Sequence, residues 1–219
     1  MVETKLIDLP LSDRVFERLM SDLSSGVFEM GEKVVIDRLA EQLGVSQTPV
    51  REAIKRLVAI GALSARPNHS VVVPTMTPEI YDEIALIRLH LEGIAAERAI
   101  EKAMAEDIRA LERLQEKMDE NRDRGAYREV LFLNRDFHFF VVDLANMPLS
   151  RQVLELLWSR TGPVFHLLHD LPIYRRSSEA HPHRQLIRAM RERDPAAGRR
   201  AMEEDIRNGL AQVTARLNR

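Results

Sequence analysis

Gly44 stands between two short apolar-striped segments, and that corner constrains the fold more than any other feature of the chain. Before it, Leu39, Ala40 and Leu43 place apolar side chains at i, i+1 and i+4. After it, Val50, Ile54 and Leu57 repeat the pattern at i, i+4 and i+7. A glycine at the junction ends the first helix in the left-handed conformation at little steric cost. Ser46 is suited to cap the second helix, and Pro49 falls in its first turn, where a missing N–H does no harm. A helix, a short turn and a helix with a polar first turn form a helix-turn-helix pattern, in which Ser46, Gln47, Thr48 and Arg51 would lie nearest the bases. An ordinary helical corner shows the same periodicity, so these residues alone leave DNA binding and plain packing both open.

The next stretch narrows the choice. Ile60-Gly61-Ala62-Leu63 ends the second helix, and Ser64 to Val73 reads as a hairpin of β-prone residues around a Pro67-Asn68 turn. A helix-turn-helix followed by a hairpin is a winged helix. The run Met30-Gly31-Glu32, Leu39-Ala40, Leu43 to Ile54, Leu57 and Gly61 resembles the GntR family of bacterial transcription regulators over roughly residues 10 to 73. The resemblance implies a DNA-contacting set of Arg38, Ser46, Gln47, Thr48, Pro49, Arg51, Lys55, Arg66 and His69. The chain departs from the family pattern in four places. Asp37 stands where a basic residue is usual, Gln47 where arginine is usual, and His69 and Ser70 replace arginine and glycine at the wing tip. Arginine pairs with guanine and glutamine with adenine, so the operator is expected to differ from the commonest family sequence.

A length of 219 residues accommodates two domains. The expected division is a DNA-binding domain at 1–74, a linker at 75–77 and a helical domain at 78–219. A net charge of −2 argues against nucleic acid as a partner. Locally, however, Arg51, Lys55, Arg56 and Arg66 face only Glu52 between Gln47 and Arg66. There are no cysteines, which excludes disulfides and thiolate metal sites. The N-terminus has no secretory pattern and no apolar run approaches the ~18 residues of a membrane helix, so a soluble, cytoplasmic protein is expected.

The expected fold is mainly α: an N-terminal winged helix-turn-helix with a small β-hairpin wing, then a C-terminal antiparallel all-α bundle. In the first domain Ser12 is the expected N-cap of a helix carrying Val15, Leu19 and Leu23, with Gly26 after it, and Val27 to Val34 reads as a turn. Beyond the linker, Thr77 is a ready N-cap with Pro78 at the first helical position. Helices are predicted at about 78–103, 105–123, 126–145, 149–170, 175–193 and 195–217, with breaks at Gly125, Asn146-Met147-Pro148, Leu171-Pro172 and Asp194-Pro195.

Three of these helices aim polar groups inward. Asn134 and His138 share one face of an apolar helix, His183 precedes Leu186 and Ile187, and Asp205 sits among Met202 and Ile206. Such groups are costly to bury unpaired, and a divalent metal would satisfy them together. A polar pocket without metal is the other reading. His90, His166 and His169 read as ordinary hydrogen-bonded core histidines. Arg88-Glu92-Ala95-Ala96-Ala99, Asn134-Phe137-His138-Asn146 and His183-Leu186-Ile187-Ala189-Met190-Asp194-Ala201-Met202, each with gaps, resemble the FCD ligand-binding domain of the FadR-like subfamily. The resemblance implies a metal, most often zinc or nickel, that helps hold a small carboxylate effector. His138 and His183 match two family histidines, Asn134 takes the aspartate position and Asp205 the third histidine position. Arg88 is either a carboxylate grip, together with Asn134, or a helix-surface pair with Glu92.

The favoured reading is a homodimeric repressor, not an enzyme, which binds operator DNA and responds to a small organic acid. The second reading is a metal-dependent enzyme acting on a small organic acid. Against it, no general base or nucleophile constellation accompanies the candidate metal site.

Overall fold

The computed structural model describes residues 9–67, 70–168 and 181–218. The N-terminal part consists of α1 (Leu11–Ser24), β1 (Lys33–Val34), α2 (Ile36–Leu43), α3 (Gln47–Ala59), β2 (Ser64–Ala65) and β3 (Val71–Val72). The corner forms as expected, with Gly44 left-handed at φ 66°. Val15, Leu19, Leu23, Val50, Ile54 and Leu57 meet in one core. Ser46 stands extended at the N-cap position of α3, but its side chain makes no capping hydrogen bond. Ser12 is not the cap of α1. The carbonyl of Pro10 already accepts from the amides of Asp13 and Arg14, so the helix starts at Leu11 and Ser12 lies inside its first turn.

The sheet has the order β1-β3-β2, with both pairings antiparallel. Lys33–Val34 is therefore a third strand, paired with Val71–Val72, where the sequence suggests a turn. The Arg66 amide donates to the Ser70 carbonyl at 2.8 Å and continues the hairpin towards the wing tip.

The C-terminal part consists of α4 (Pro78–Lys102), α5 (Ala105–Asp123), α6 (Tyr127–Ala145), α7 (Pro148–Thr161), a 3-10 helix (Gly162–Leu168), α8 (Pro182–Glu192) and α9 (Pro195–Leu217). Thr77 Oγ1 accepts from the Ile80 amide, and Asp194 caps α9 in the same way. Two predicted helices differ. The segment expected at 149–170 tightens at Gly162, where Pro163 has no N–H to continue the α ladder. Helix α8 begins at Pro182, and the preceding residues of its predicted span, 175–180, lie outside the described residues. His90 is exposed on α4 beside Leu86 and Ile87, not in the core. His169 and the side chain of His166 also lie outside the described residues.

The two parts meet closely. Helix α7 and the 3-10 helix pack on α1, and Leu156 joins the N-terminal core. At Gly162 a Cβ would lie 2.0 Å from the Leu23 carbonyl oxygen. Only a residue without a side chain admits that approach.

Candidate functional site

On α3, Val50, Ala53, Ile54 and Leu57 are buried, while Gln47, Thr48, Arg51, Glu52 and Lys55 are exposed. Ser46, Arg38 and Arg66 are exposed as well, so the expected DNA-facing residues share solvent access. Pro49 does not belong with them. It is buried, because it lies one turn before Ala53 on the inward stripe, and its role is packing. Arg56 turns back to α1, pairs with Asp13 and lies over the Phe16 ring at 4.1 Å. That removes one cation from the outward patch. Arg51 and Lys55 have no hydrogen-bonded or ion-paired side-chain partner among the described residues. His69 lies outside the described residues.

In the helical part, α6, α8 and α9 bring His138, His183 and Asp205 together with their ligand atoms within 4.8 Å of one another. His138 Nε2 lies 3.2 Å from Asp205 Oδ2, and His183 Nε2 lies 3.7 Å from Asp205 Oδ1 and 3.4 Å from His138 Nε2. The other face of each ring is also fixed. His138 Nδ1–H donates to Glu92 Oε2 at 2.6 Å, and His183 Nδ1–H donates to Gln115 Oε1 at 3.0 Å. Gln115 in turn donates to Asp119, which turns its carbonyl towards His183. Glu92 can only accept, and the Gln115 amide nitrogen is committed to Asp119, so both Nδ1 atoms carry the proton and the two Nε2 atoms and a carboxylate face one another. Only a proton or a cation relieves that repulsion.

The electrostatics match the geometry. Burial pulls the His138 imidazole down, but the Glu92 and Asp205 carboxylates override it and push its pKa up to about 9. Burial also acts on Asp205 and Glu92, yet the histidines beside Asp205 hold it well below the usual carboxylate range, and Arg88 and His138 hold Glu92 at about 2. Burial drives His183 below the ordinary imidazole value, and His181 to about 4.

Two nitrogens and a carboxylate oxygen, each oriented from behind, fit a divalent transition ion. Such an ion would offer a Lewis-acidic anchor to an anion in the adjoining space. That space is a cavity of about 270 Å3 lined by Arg88, Arg122, Asn134, His138, Trp158 and Asp205, among others. Asn134 is thus at the cavity wall one turn from His138. Arg88 does pair with Glu92, Nε to Oε1 at 2.7 Å, but the pair is buried and not on the helix surface. The Trp158 indole N–H donates to the same Glu92 oxygen at 3.1 Å.

Several site residues escape the sequence reading: the supporting roles of Glu92, Gln115 and Asp119, and the wall residues Arg122, Trp158 and His181. A signal existed on α5, where Leu111, Gln115, Met118 and Arg122 recur at the spacing of a buried stripe with polar members inside it. Trp158 is the single tryptophan, and a buried indole N–H needs an acceptor.

A winged helix with an exposed basic helix, joined to a helical domain with a cavity lined in part by charged side chains, defines a two-domain helix-turn-helix transcription regulator. The chain belongs to the GntR family: residues 11–73 match the family described as bacterial regulatory proteins, gntR family, and residues 83–208 match the FCD domain. It is 33% identical over 217 residues to the HTH-type transcriptional regulator McbR of Escherichia coli (strain K12), covering 98% of each chain. It is 28% identical over 210 residues to a probable D-xylose utilization operon transcriptional repressor of Paenarthrobacter nicotinovorans, covering 92% of this chain and 88% of that one. The solved structure of E. coli McbR/YncC superposes with a TM-score of 0.87 at 31% identity, covering 94% of this chain and 98% of that one. The family and these relatives are transcription regulators, which sets aside the enzyme reading. No helix among the described residues is long and apolar enough to cross a membrane.

Proposed function

We propose that the protein represses transcription as a homodimer whose operator affinity is set by a small carboxylate held with a divalent metal in the helical domain. The observation that carries the sensing half is the convergence of His138 Nε2, His183 Nε2 and Asp205, with His138 and Asp205 at the wall of a cavity. Zinc or nickel suits that donor set, with the Asn134 carbonyl as a weaker fourth donor. Repression is supported by the Paenarthrobacter relative, a probable transcriptional repressor. A second copy of this chain is supported by α4, which leaves Leu86 57% and Ile87 37% exposed. Two heads would then read the two halves of a palindromic operator.

Metal content tests the sensing half. Protein purified without chelator is expected to carry about one metal ion per chain, and His138→Ala and His183→Ala are expected to carry close to none. Equal, negligible metal in all three proteins would remove the metal from the proposal. Operator binding tests the other half. Arg51→Ala is expected to weaken binding to the regulator's own promoter DNA by roughly 5- to 150-fold, the loss of one bidentate base contact, without moving the melting temperature. Unchanged affinity in a gel shift would show that α3 does not read bases through Arg51. Gln47→Arg is expected to move base preference towards guanine at one position per half-site, as read by selection from random DNA.

A further inference from the structure

A second cavity lies where the two domains meet, and α6 runs from the first cavity to the second. Val130, Leu131, Asn134 and His138 of α6 line the first. Arg128, in the opening turn of the same helix, lines the second, about 15 Å along the axis from His138 at 1.5 Å per residue. The other walls belong to the head: α1, the segment before β1, β1 itself and α2. Leu19, Phe28, Val34 and Leu39 give it a buried apolar floor. Its ionisable side chains are Arg18, Lys33, Arg38 and Arg128 against Asp22 and Glu32, an excess of two positive charges. Asp22 is taken up by Arg18, whose Nε lies 2.9 Å from both carboxylate oxygens, and Glu32 accepts from the Glu29 amide. Lys33, Arg38 and Arg128 are exposed and make no hydrogen bond or salt bridge among the described residues. Arg128 is nonetheless close enough for its charge to act on Asp22 across the domain boundary.

We propose that this junction cavity is a second ligand site, which takes the phosphate group of a small organic phosphate on Lys33, Arg38 and Arg128. Like charges gathered at one cleft repel one another, and an anion removes that cost. A phosphate monoester carries about −1.5 to −2 charges at neutral pH, which matches the excess of two, whereas a single carboxylate carries only one. Two guanidinium forks and an ammonium are also the donors that suit the three oxygens of a phosphate. The cavity volume of about 300 Å3 stands at the lower end of the range of about 300–1,000 Å3 for small-molecule sites, and the apolar floor accommodates a short carbon skeleton. An anion held there ties α2 of the head to the first turn of α6. Leu131, one turn further along α6, already touches the head, with its Cδ1 3.4 Å from where a Cβ on Gly26 would lie. This site is independent of the metal and of any acid in the first cavity.

The test titrates the full-length protein, in phosphate-free buffer at fixed ionic strength, with glucose 6-phosphate and with 5′-AMP, each beside its unphosphorylated parent, glucose or adenosine. Calorimetry is expected to show at least one ester bound about 10-fold or more tightly than its parent. Hydrogen exchange is expected to slow in residues 27–38 and 127–131 when that ester is added. Arg128→Gln and Lys33→Gln, both at exposed side chains, are each expected to weaken the ester roughly 10-fold, the loss of one charge-assisted contact. Metal content and affinity for operator DNA are expected to stay at the wild-type level in both variants. Esters bound no better than their parents would overturn the site, and so would esters bound equally by the wild type and both variants. Weaker operator binding by both variants without any ester would also overturn it, because these cations would then belong to the DNA backbone. None of these outcomes bears on the metal content of the His138 and His183 variants, so the two sites stand or fall separately.

Discussion

Replacing Glu92 by leucine is expected to lower the stability of the helical domain by about 3–5 kcal/mol, the cost of removing one partner from a buried charge network. Glu92 is 0% exposed and accepts from Arg88, His138 and Trp158 at once. Leucine leaves a guanidinium, an imidazole N–H and an indole N–H in the interior with nothing to accept them. Urea unfolding followed by the fluorescence of Trp158, which touches the substituted position, reads the effect directly. Glu92→Gln keeps one acceptor and is expected to unfold between the two. Its clearer signature is a drop in metal affinity of about 10- to 100-fold, because Glu92 sets the tautomer and tilt of His138. A leucine variant as stable as the wild type would show that the network does not hold the domain together.

Gly162→Ala is expected to cost roughly 3 kcal/mol or more, since the added methyl meets backbone and no rotamer can move it. The contact is 2.0 Å to the Leu23 carbonyl oxygen, with the Ser24 carbonyl carbon and oxygen both at 2.7 Å. Gly26 presses on the same place, where a Cβ would lie 2.9 Å from the Gly162 oxygen. The melting temperature is expected to fall by roughly 6–12 °C on the scale of about 2–4 °C per kcal/mol for a chain of this size. Gly209→Ala is the control. Nothing lies within 4 Å of its missing Cβ, and alanine in a helix is worth about 0.5–1 kcal/mol over glycine. A parallel pair of melting curves should therefore move in opposite directions. If Gly162→Ala melts with Gly209→Ala, the close seating of α1 on the 3-10 helix is wrong.

The parts visible in the sequence are those written in periodicity. The corner around Gly44 and the inward turn of Asn134 and His138 both follow from side chains recurring at helical spacing. What stayed hidden has equally physical reasons. Lys33–Val34 is too short to display alternation, so a strand made by pairing with Val71–Val72 looks like a turn. Pro49 reads as a surface residue because proline is common in first turns, yet the register of α3 turns it inward. Asp119 holds Gln115 and Arg122 on its own helix at helical spacing, but its pairing with Arg184 crosses to α8, and such a pairing leaves no mark in a single chain's spacing. The cluster of His138, His183 and Asp205 is legible as residue types, while the order of support behind it needs three dimensions.

The neighbouring roles of Thr161 and Gly162 carry a final consequence. Thr161 is part of the cavity wall, and the very next residue is the seat on which the DNA-reading part rests. One peptide bond thus separates the cavity wall from the contact with α1. If the cavity takes a ligand as proposed, this adjacency is where the two parts would be coupled, and mutations that soften Gly162's surroundings are expected to blunt the response to ligand before they blunt the grip on DNA.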